Sequence, residues 1–488
     1  MNATILLITF FAYTALLFFI AWATSRKTDN QSFFTGNRKS NWFLVAYGMI
    51  GASLSGVSFM SVPGDVYNNN FHYLPMLLGF LVGYGVIAFV LLPLYFKMNL
   101  TSIYTYLDKR FGNYSYKTGA SFFILSRLLG ATVRTFLVVF VLYHFVLKDI
   151  GVPFWIAAVV FVGIVILYTM RGGVKTIVWT DMMQTTFMIV AIVAAVIFIC
   201  NELNWNIGEM FSRIIHDEHS EVFNTNWSAP KHWIKQFVSG ALVPIAMTGL
   251  DQAMMQKSLS CKNIRQSQKN VITSVAMMIP VNILFLTLGA ILAIYINENP
   301  MLIEAVTNAS GKFEADKIFP VVAFSLKSIV GIFFFIGLIS AAYPTCANAL
   351  TSLTTSSCID ILDMEKRAWS DERKRKIRLQ VQFVLAILFV LLIIMFNILK
   401  NDAVINMVYQ IAAYTYGPLL GLFMFGITTK IKTLDKAVPV ICVAVPVICF
   451  VIEKYIFSFG FSLILLCAAL TFAGMLIFSK KDTKPVNA

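Results

Sequence analysis

Thirteen stretches of about 20 mostly apolar residues, parted by short polar segments, set the pattern of this chain. A helix rises 1.5 Å per residue, so about 20 residues cross the ~30 Å hydrocarbon core of a bilayer. The stretches fall near 4–24, 41–66, 73–96, 118–147, 153–170, 178–200, 234–252, 272–296, 320–345, 379–398, 403–427, 437–453 and 458–478. Apolar residues run on continuously instead of alternating, which excludes an outer-membrane barrel. The expected fold class is all-α integral membrane, with about 13 transmembrane helices.

Composition and charge sharpen this. Of 488 residues, 58% are hydrophobic and 13% charged, about half the charge of a soluble domain. The net charge of +14 forms neither a face nor a tail that would suit nucleic acid. Instead, with the N-terminus outside, 27 of the 38 Lys and Arg fall in inward segments and 7 in outward ones. Four (Arg127, Arg134, Lys235 and Lys327) fall inside spans. That asymmetry predicts N-outside, C-inside topology in a plasma (inner) membrane. The first run carries Ala21-Trp22-Ala23, a cleavage-like tripeptide, but no Lys or Arg precedes it, so a retained helix is expected. The seven cysteines form no CxxC pair and read as small packing residues. His216-Asp217-Glu218-His219 reads as a hydrated loop, since nothing nearby completes a metal-ligand set. Lipid is an expected partner, with added anionic-lipid contact at the basic inward stretch 360–378. No obligate protein partner is evident.

Two spans carry polar, glycine-rich interruptions at mid-depth, which membranes tolerate only around protein-lined cavities. The second span holds Gly51-Ala52-Ser53-Leu54-Ser55-Gly56, and the seventh holds Ser239-Gly240 and then Pro244. They lie five spans apart. This predicts an inverted repeat of 5+5 helices, each repeat opening with a broken helix, the arrangement that points to a secondary transporter's binding site. Small-residue helix packing is the competing explanation for either interruption. The repeats are expected at about 41–200 and 234–427 within a core of 33–427, preceded by an extra helix and loop (1–32) and followed by two helices and a tail (428–488).

Candidate chemistry follows from the interruptions. The ninth span runs into a hydroxyl-rich tail, Thr345 to Asp360, whose oxygens suit a hard monovalent cation across from the second span. Arg127 and Arg134 stand seven residues apart on one helical face. Three roles are open to them: clasping a substrate carboxylate, pairing with an internal acid, or snorkelling. Asp181 is open to two, a place on an ion exit path or a helix N-terminal acid favoured by the dipole. The one intramembrane histidine, His144, has no evident catalytic partner, so no enzyme is expected.

At these residues the chain resembles the sodium/solute symporter family, which includes sodium-coupled sugar, proline and sialic acid transporters. Phe33 to Gly64 (FFTGNRKSNWFLVAYGMIGASLSGVSFMSVPG) resembles the family's loop and first core helix. Arg171 to Gln184 (RGGVKTIVWTDMMQ) resembles its GG-x-x-A-V-x-W-T-D-x-x-Q signature, and GLDQAMMQK, Gly249 to Lys257, its G-x-D-Q-x-x-x-Q-R segment with Lys257 in place of Arg. Ala341 to Asp360 resembles the sodium-site helix, and YGPLLGLFMFGI, Tyr416 to Ile427, a later helix.

The resemblance implies alternating access, with sodium as the coupling ion. It places sodium on the carbonyls of Gly51, Leu54 and Ala341 and the hydroxyl of Thr345, with Asp181 near the exit and Asn348 beside it at a further cation site. Pro344 stands where the family usually has a serine, which removes one ligand. Candidate solute contacts are Ser53, Ser55, Ser58, Arg127, Arg134, Ser239 and Gln410, with Phe59 and Tyr414 lining an outer gate. The expected function is sodium-coupled import of a small polar solute: a sugar, an acid sugar such as sialic acid, or another carboxylate. Proton coupling on the same fold, and a non-transporting membrane solute sensor, are the alternatives. The ten residues after Phe478 are too short for the fused signalling domain a sensor of this kind carries.

Overall fold

The computed structural model describes residues 3–479 except 25–32, 35–37, 149, 230, 308–310, 312, 327, 400–403, 457–458 and 460–461. Within them the chain is all helical, with isolated bridges and no strand. Nine helices among the described residues are long and apolar enough to cross a membrane, or eleven if each of two bent pairs is one span. Lys327 and the tail beyond 479 lie outside the described residues.

In chain order the helices are α1 (Ala3–Thr24), α2 (Trp42–Ser53), α3 (Gly56–Asn69), α4 (Leu74–Lys97), α5 (Asn113–Leu142), α6 (Phe154–Met170) and α7 (Thr176–Glu202). They continue as α8 (Trp233–Gly249), α9 (Gln252–Leu259), α10 (Ile264–Asn297), α11 (Ala315–Ser325), α12 (Ser328–Ser356), α13 (Asp371–Leu399), α14 (Val404–Thr428), α15 (Val438–Tyr455) and α16 (Leu463–Ile477). The bent pairs are α2–α3, at 60°, and α8–α9, at 70°. Helices α6 and α16 stand where the sequence put its fifth and thirteenth spans, but each is too short to meet the length of a span.

Burial follows helical spacing. On α1, Leu6, Phe10, Tyr13, Leu17 and Ala21 are buried at three- and four-residue intervals, while Ile8, Phe11, Phe19 and Trp22 face outward. An apolar helix with one buried stripe presents its other side to lipid. α15 repeats the arrangement, burying Ile441, Cys442, Val445 and Cys449 and exposing Val440, Val443, Val447 and Phe450. At the other extreme α12 is sunk in the protein, with most of its length buried. It packs against α1, α2, α3, α5, the 154–202 stretch of α6 and α7, α9, α11 and α13, which makes it the axis of the molecule.

Two sequence expectations are corrected. The second interruption is not at Ser239-Gly240 or Pro244. The helix runs through both, and the bend falls at Leu250-Asp251, after a single π turn at Ile245–Gly249. Gly240 serves packing instead: a Cβ there would lie 2.1 Å from the Met76 carbonyl, so α4 and α8 touch backbone to backbone. The ninth span is also shifted. The chain breaks after Ser325, and α12 continues unbroken through Thr345 to Ser356, followed by a π turn to Ile361. Its hydroxyls are absorbed within the helix, since Thr345, Thr354 and Thr355 each donate to the carbonyl four residues back.

Candidate functional site

The first break supplies free oxygen atoms. Asn41 caps α2, accepting from the Phe43 N–H at 2.8 Å, and the helix closes with the Leu54 N–H on the Ile50 carbonyl at 2.8 Å. Leu54 and Ser55 are extended, and the next helix opens with the Phe59 N–H on the Ser55 carbonyl. Among the described residues the carbonyls of Gly51, Ala52, Ser53 and Leu54 receive no backbone N–H across the break. Buried carbonyls without donors seek a cation or water.

Gly51 is held against α7. Its N–H donates to Thr185 Oγ1 at 3.2 Å, and a Cβ on it would fall 2.3 Å from that same oxygen. Thr345 and Ala341 are buried on α12, which packs on α2. The Thr345 hydroxyl spends its proton on the Ala341 carbonyl at 3.3 Å, leaving its lone pairs to accept a cation. Pro344 has no N–H, so the carbonyl of Ser340, four residues back, lacks its helical donor. The position that loses a side-chain oxygen thus frees a backbone one. Carbonyl and hydroxyl oxygens are hard donors, the kind a hard cation takes.

Asp181 sits in the second turn of α7, beyond the reach of a helix N-terminus, and is 1% exposed. Its Oδ2 accepts from Lys257 Nζ and from Asn348 Nδ2, the latter at 3.3 Å. Asn348 therefore lies beside Asp181 with its nitrogen, not the expected oxygen, toward the carboxylate, and Lys257 was not among the expected site residues.

The kink before α7 is built by Gly173, at φ +49° and ψ −138°. A Cβ there would lie 2.6 Å from the Phe33 carbonyl, which only glycine avoids. The GLDQAMMQK segment clamps the second half-helix on every side. Asp251 caps α9, accepting from the Met254 N–H at 3.1 Å. Gln252 accepts from the Ile103 N–H and donates to the Thr101 carbonyl. Gln256 donates to the Phe34 carbonyl and to Thr355 Oγ1. Sequence reading quoted this segment without assigning Asp251, Gln252, Gln256 or Lys257 a role. Polar residues in a helix buried on all faces were the available signal.

Arg127 is buried on α5, with Nη1 3.5 Å from Asp251 Oδ2. That carboxylate also accepts from the Tyr416 hydroxyl at 2.5 Å. The pairing with an internal acid therefore describes Arg127, although its Nε has no partner. Arg127 and Arg134 line one small cavity with Ser126, Met247, Ile411 and Tyr416. At about 10 Å³ it has room for roughly one water, too little for a solute.

The remaining candidates lie elsewhere. None of Ser53, Ser55, Ser58, Ser239 or Gln410 lines that cavity. Ser53 lies beside Tyr84, Ser55 and Ser239 are buried, Ser58 is half-buried and Gln410 is exposed. Phe59 is fully buried in a cluster with Phe285, Phe319 and Phe334, whereas the Tyr414 ring packs on Phe450. The two proposed gate residues do not meet in this form.

Outside the spans, Asp363 is pushed up by partial burial, but Lys117 and Lys366 outweigh it and hold the carboxyl below its usual range. In the outer loop, Asp217 accepts from the His219 ring and backbone, and no metal-capable cluster occurs among the described residues.

The profile of the sodium:solute symporter family matches residues 33–437. The chain belongs to this family of sodium-driven secondary transporters, and it is a multi-pass membrane protein, not an enzyme. Its relatives include the sodium/sialic acid symporter NanT of Aliivibrio fischeri, 25% identical over 447 residues (88% of this chain, 84% of the relative). The sodium/sialic acid symporter SiaT of Proteus mirabilis is 25% identical (88% and 85%). The human sodium/iodide cotransporter is 23% identical (85% and 63%). Among solved structures, a substrate-bound, outward-open sodium-coupled sialic acid symporter superposes with TM-score 0.82 at 22% identity, covering 98% of this chain and 99% of that one. This likeness shows the fold.

Proposed function

We propose that the protein imports a small polar solute together with sodium by alternating access, and that the solute carries a carboxylate, as an acid sugar such as sialic acid does. The observation behind this reading is the pair Arg127 and Arg134 on one wall of the cavity beside the second break. Arg134, which lines that cavity, is the residue we assign to the solute carboxylate, with Ser53, Ser55, Ser58, Ser239 and Gln410 as further contacts. The sialic acid symporters among the relatives support the same substrate class.

Sodium binds, on this reading, to the freed carbonyls of Gly51 and Leu54, to the carbonyl of Ala341 and to the hydroxyl of Thr345. An ion held by both α2 and α12 favours the arrangement in which the two helices are joined. If the solute favours that arrangement too, the ligands help each other by about 1–3 kcal/mol, which is all that coupling requires. We assign thirteen spans in a 5+5 inverted repeat, repeats at 41–200 and 234–427 flanked by 1–32 and 428–488, with the N-terminus outside and the C-terminus inside a plasma membrane. Phe59 and Tyr414 meet only when the outer gate rearranges.

Proteoliposomes given an inward sodium gradient test this. Labelled sialic acid should accumulate, and an equal potassium gradient should drive none. Accumulation of glucose in place of carboxylates would overturn the solute class, and a proton gradient replacing sodium would overturn the coupling ion.

A further inference from the structure

Lys257 stands on α9, the half-helix beyond the second break, and its ammonium donates to Asp181 Oδ2 on α7. Both side chains are sealed from solvent, at 3% and 1% exposed. Asn348 on α12 turns its amide nitrogen, not its oxygen, toward the same carboxylate. The position one residue earlier, Ala347, has no side-chain oxygen. The place beside Asp181 where a further cation would bind thus already holds a positive group that belongs to the chain.

The local charges balance. Lys257 faces Asp181 directly, and the neighbouring pair Arg127 and Asp251 is neutral as a unit. A sodium ion added to this quartet would meet an ammonium a few Å away in a poorly screened interior. Acceptors are nevertheless available nearby. Asp181 Oδ1, Thr351 Oγ1 and the oxygen of Gln184 are all buried without a partner. Lys257, Asn348 and Thr351 line one small cavity.

We infer that Lys257 is the resident counter-cation of Asp181, filling the position of a second sodium ion and limiting the protein to one bound sodium. Removing its charge would convert Asp181 and its unpartnered neighbours into a second sodium site. This rests on the proposed sodium site at Gly51, Leu54, Ala341 and Thr345, and it adds a residue that sets how many ions travel with each solute.

Equilibrium binding of ²²Na⁺ to the purified full-length protein in detergent tests it. The wild-type protein should bind about one sodium per chain and Lys257→Gln about two. The double variant Asp181→Asn/Lys257→Gln should return to one, because the second ion needs the bare carboxylate. Two ions on the wild-type protein, or one on a folded Lys257→Gln, would overturn the inference while leaving sodium symport intact. No bound sodium on the wild-type protein would sink the sodium reading and this inference with it. Asp181→Asn gives a result that does not depend on Lys257→Gln folding. One sodium should remain bound, and its loss would make Asp181 a ligand of the first ion and overturn the proposal.

Discussion

The Tyr416 hydroxyl donates to Asp251 Oδ2 across 2.5 Å and so joins α14 to the bend between α8 and α9. Arg127 reaches the same oxygen from α5, which joins three parts of the fold at one carboxylate beside the small cavity that Arg127 and Tyr416 line. Tyr416→Phe removes one donor and leaves Arg127 in place. It should cost about 1–3 kcal/mol of stability, seen as a lower thermal unfolding midpoint, and an unchanged midpoint would mean that the bond is not maintained.

The two arginines should separate cleanly. Arg127→Gln leaves the Asp251 charge buried without its counter-charge, so it should destabilise the protein by about 3–5 kcal/mol whatever the solute. Arg134→Gln should instead raise the half-saturation constant for anionic solutes about tenfold or more and leave neutral solutes nearly unaffected. Uptake assays beside thermal unfolding decide this. Equal losses for charged and neutral solutes in Arg134→Gln would remove it from the solute site.

Two glycines make a stability test. Gly173 has positive φ and no room for a Cβ, whereas a Cβ at Gly85, within α4, would meet nothing within 4 Å. Gly173→Ala should cost roughly 1–3 kcal/mol or more through backbone strain and the clash with Phe33. Gly85→Ala should be neutral or stabilising by up to about 1 kcal/mol, as expected for alanine in a helix. Comparable losses in both would show that the Gly173 kink is not a required feature.

Much of this architecture was legible in the sequence, because a run of 20 apolar residues and the Gly51 to Gly56 interruption each admit few structures. The second break was misplaced, and the reason is physical. Glycine serves both to break helices and to let them touch, and only the position of Met76 shows that Gly240 does the second. The shift of the ninth span has a similar cause, since hydroxyls that bond back to their own helix conceal its continuation. Asp181 and Asn348 were paired from motif positions, but Lys257 reaches Asp181 from 76 residues away in sequence. No periodicity along one helix reports a contact between two. The serines were the hardest to read, because small polar residues line packing seams as readily as cavities.

Pro344 gives a graded test of the sodium site. Pro344→Ser restores a hydroxyl one position before Thr345 and also returns an N–H to the Ser340 carbonyl. Apparent sodium affinity should rise severalfold if the hydroxyl is the missing ligand. A fall would show that the carbonyl freed by proline had taken its place.

The most direct measurement is the thermal unfolding midpoint of the detergent-purified protein in NaCl against matched KCl and choline chloride, for wild type and Thr345→Ala. A ligand that binds only the folded state stabilises it by RT ln(1 + [L]/Kd), about 2.7 kcal/mol at a hundredfold excess over Kd. The account predicts a sodium-specific rise in the wild-type midpoint that is reduced or lost in Thr345→Ala. Equal midpoints in all three salts, or a sodium rise untouched by Thr345→Ala, would contradict a sodium site built from the α2 break and Thr345.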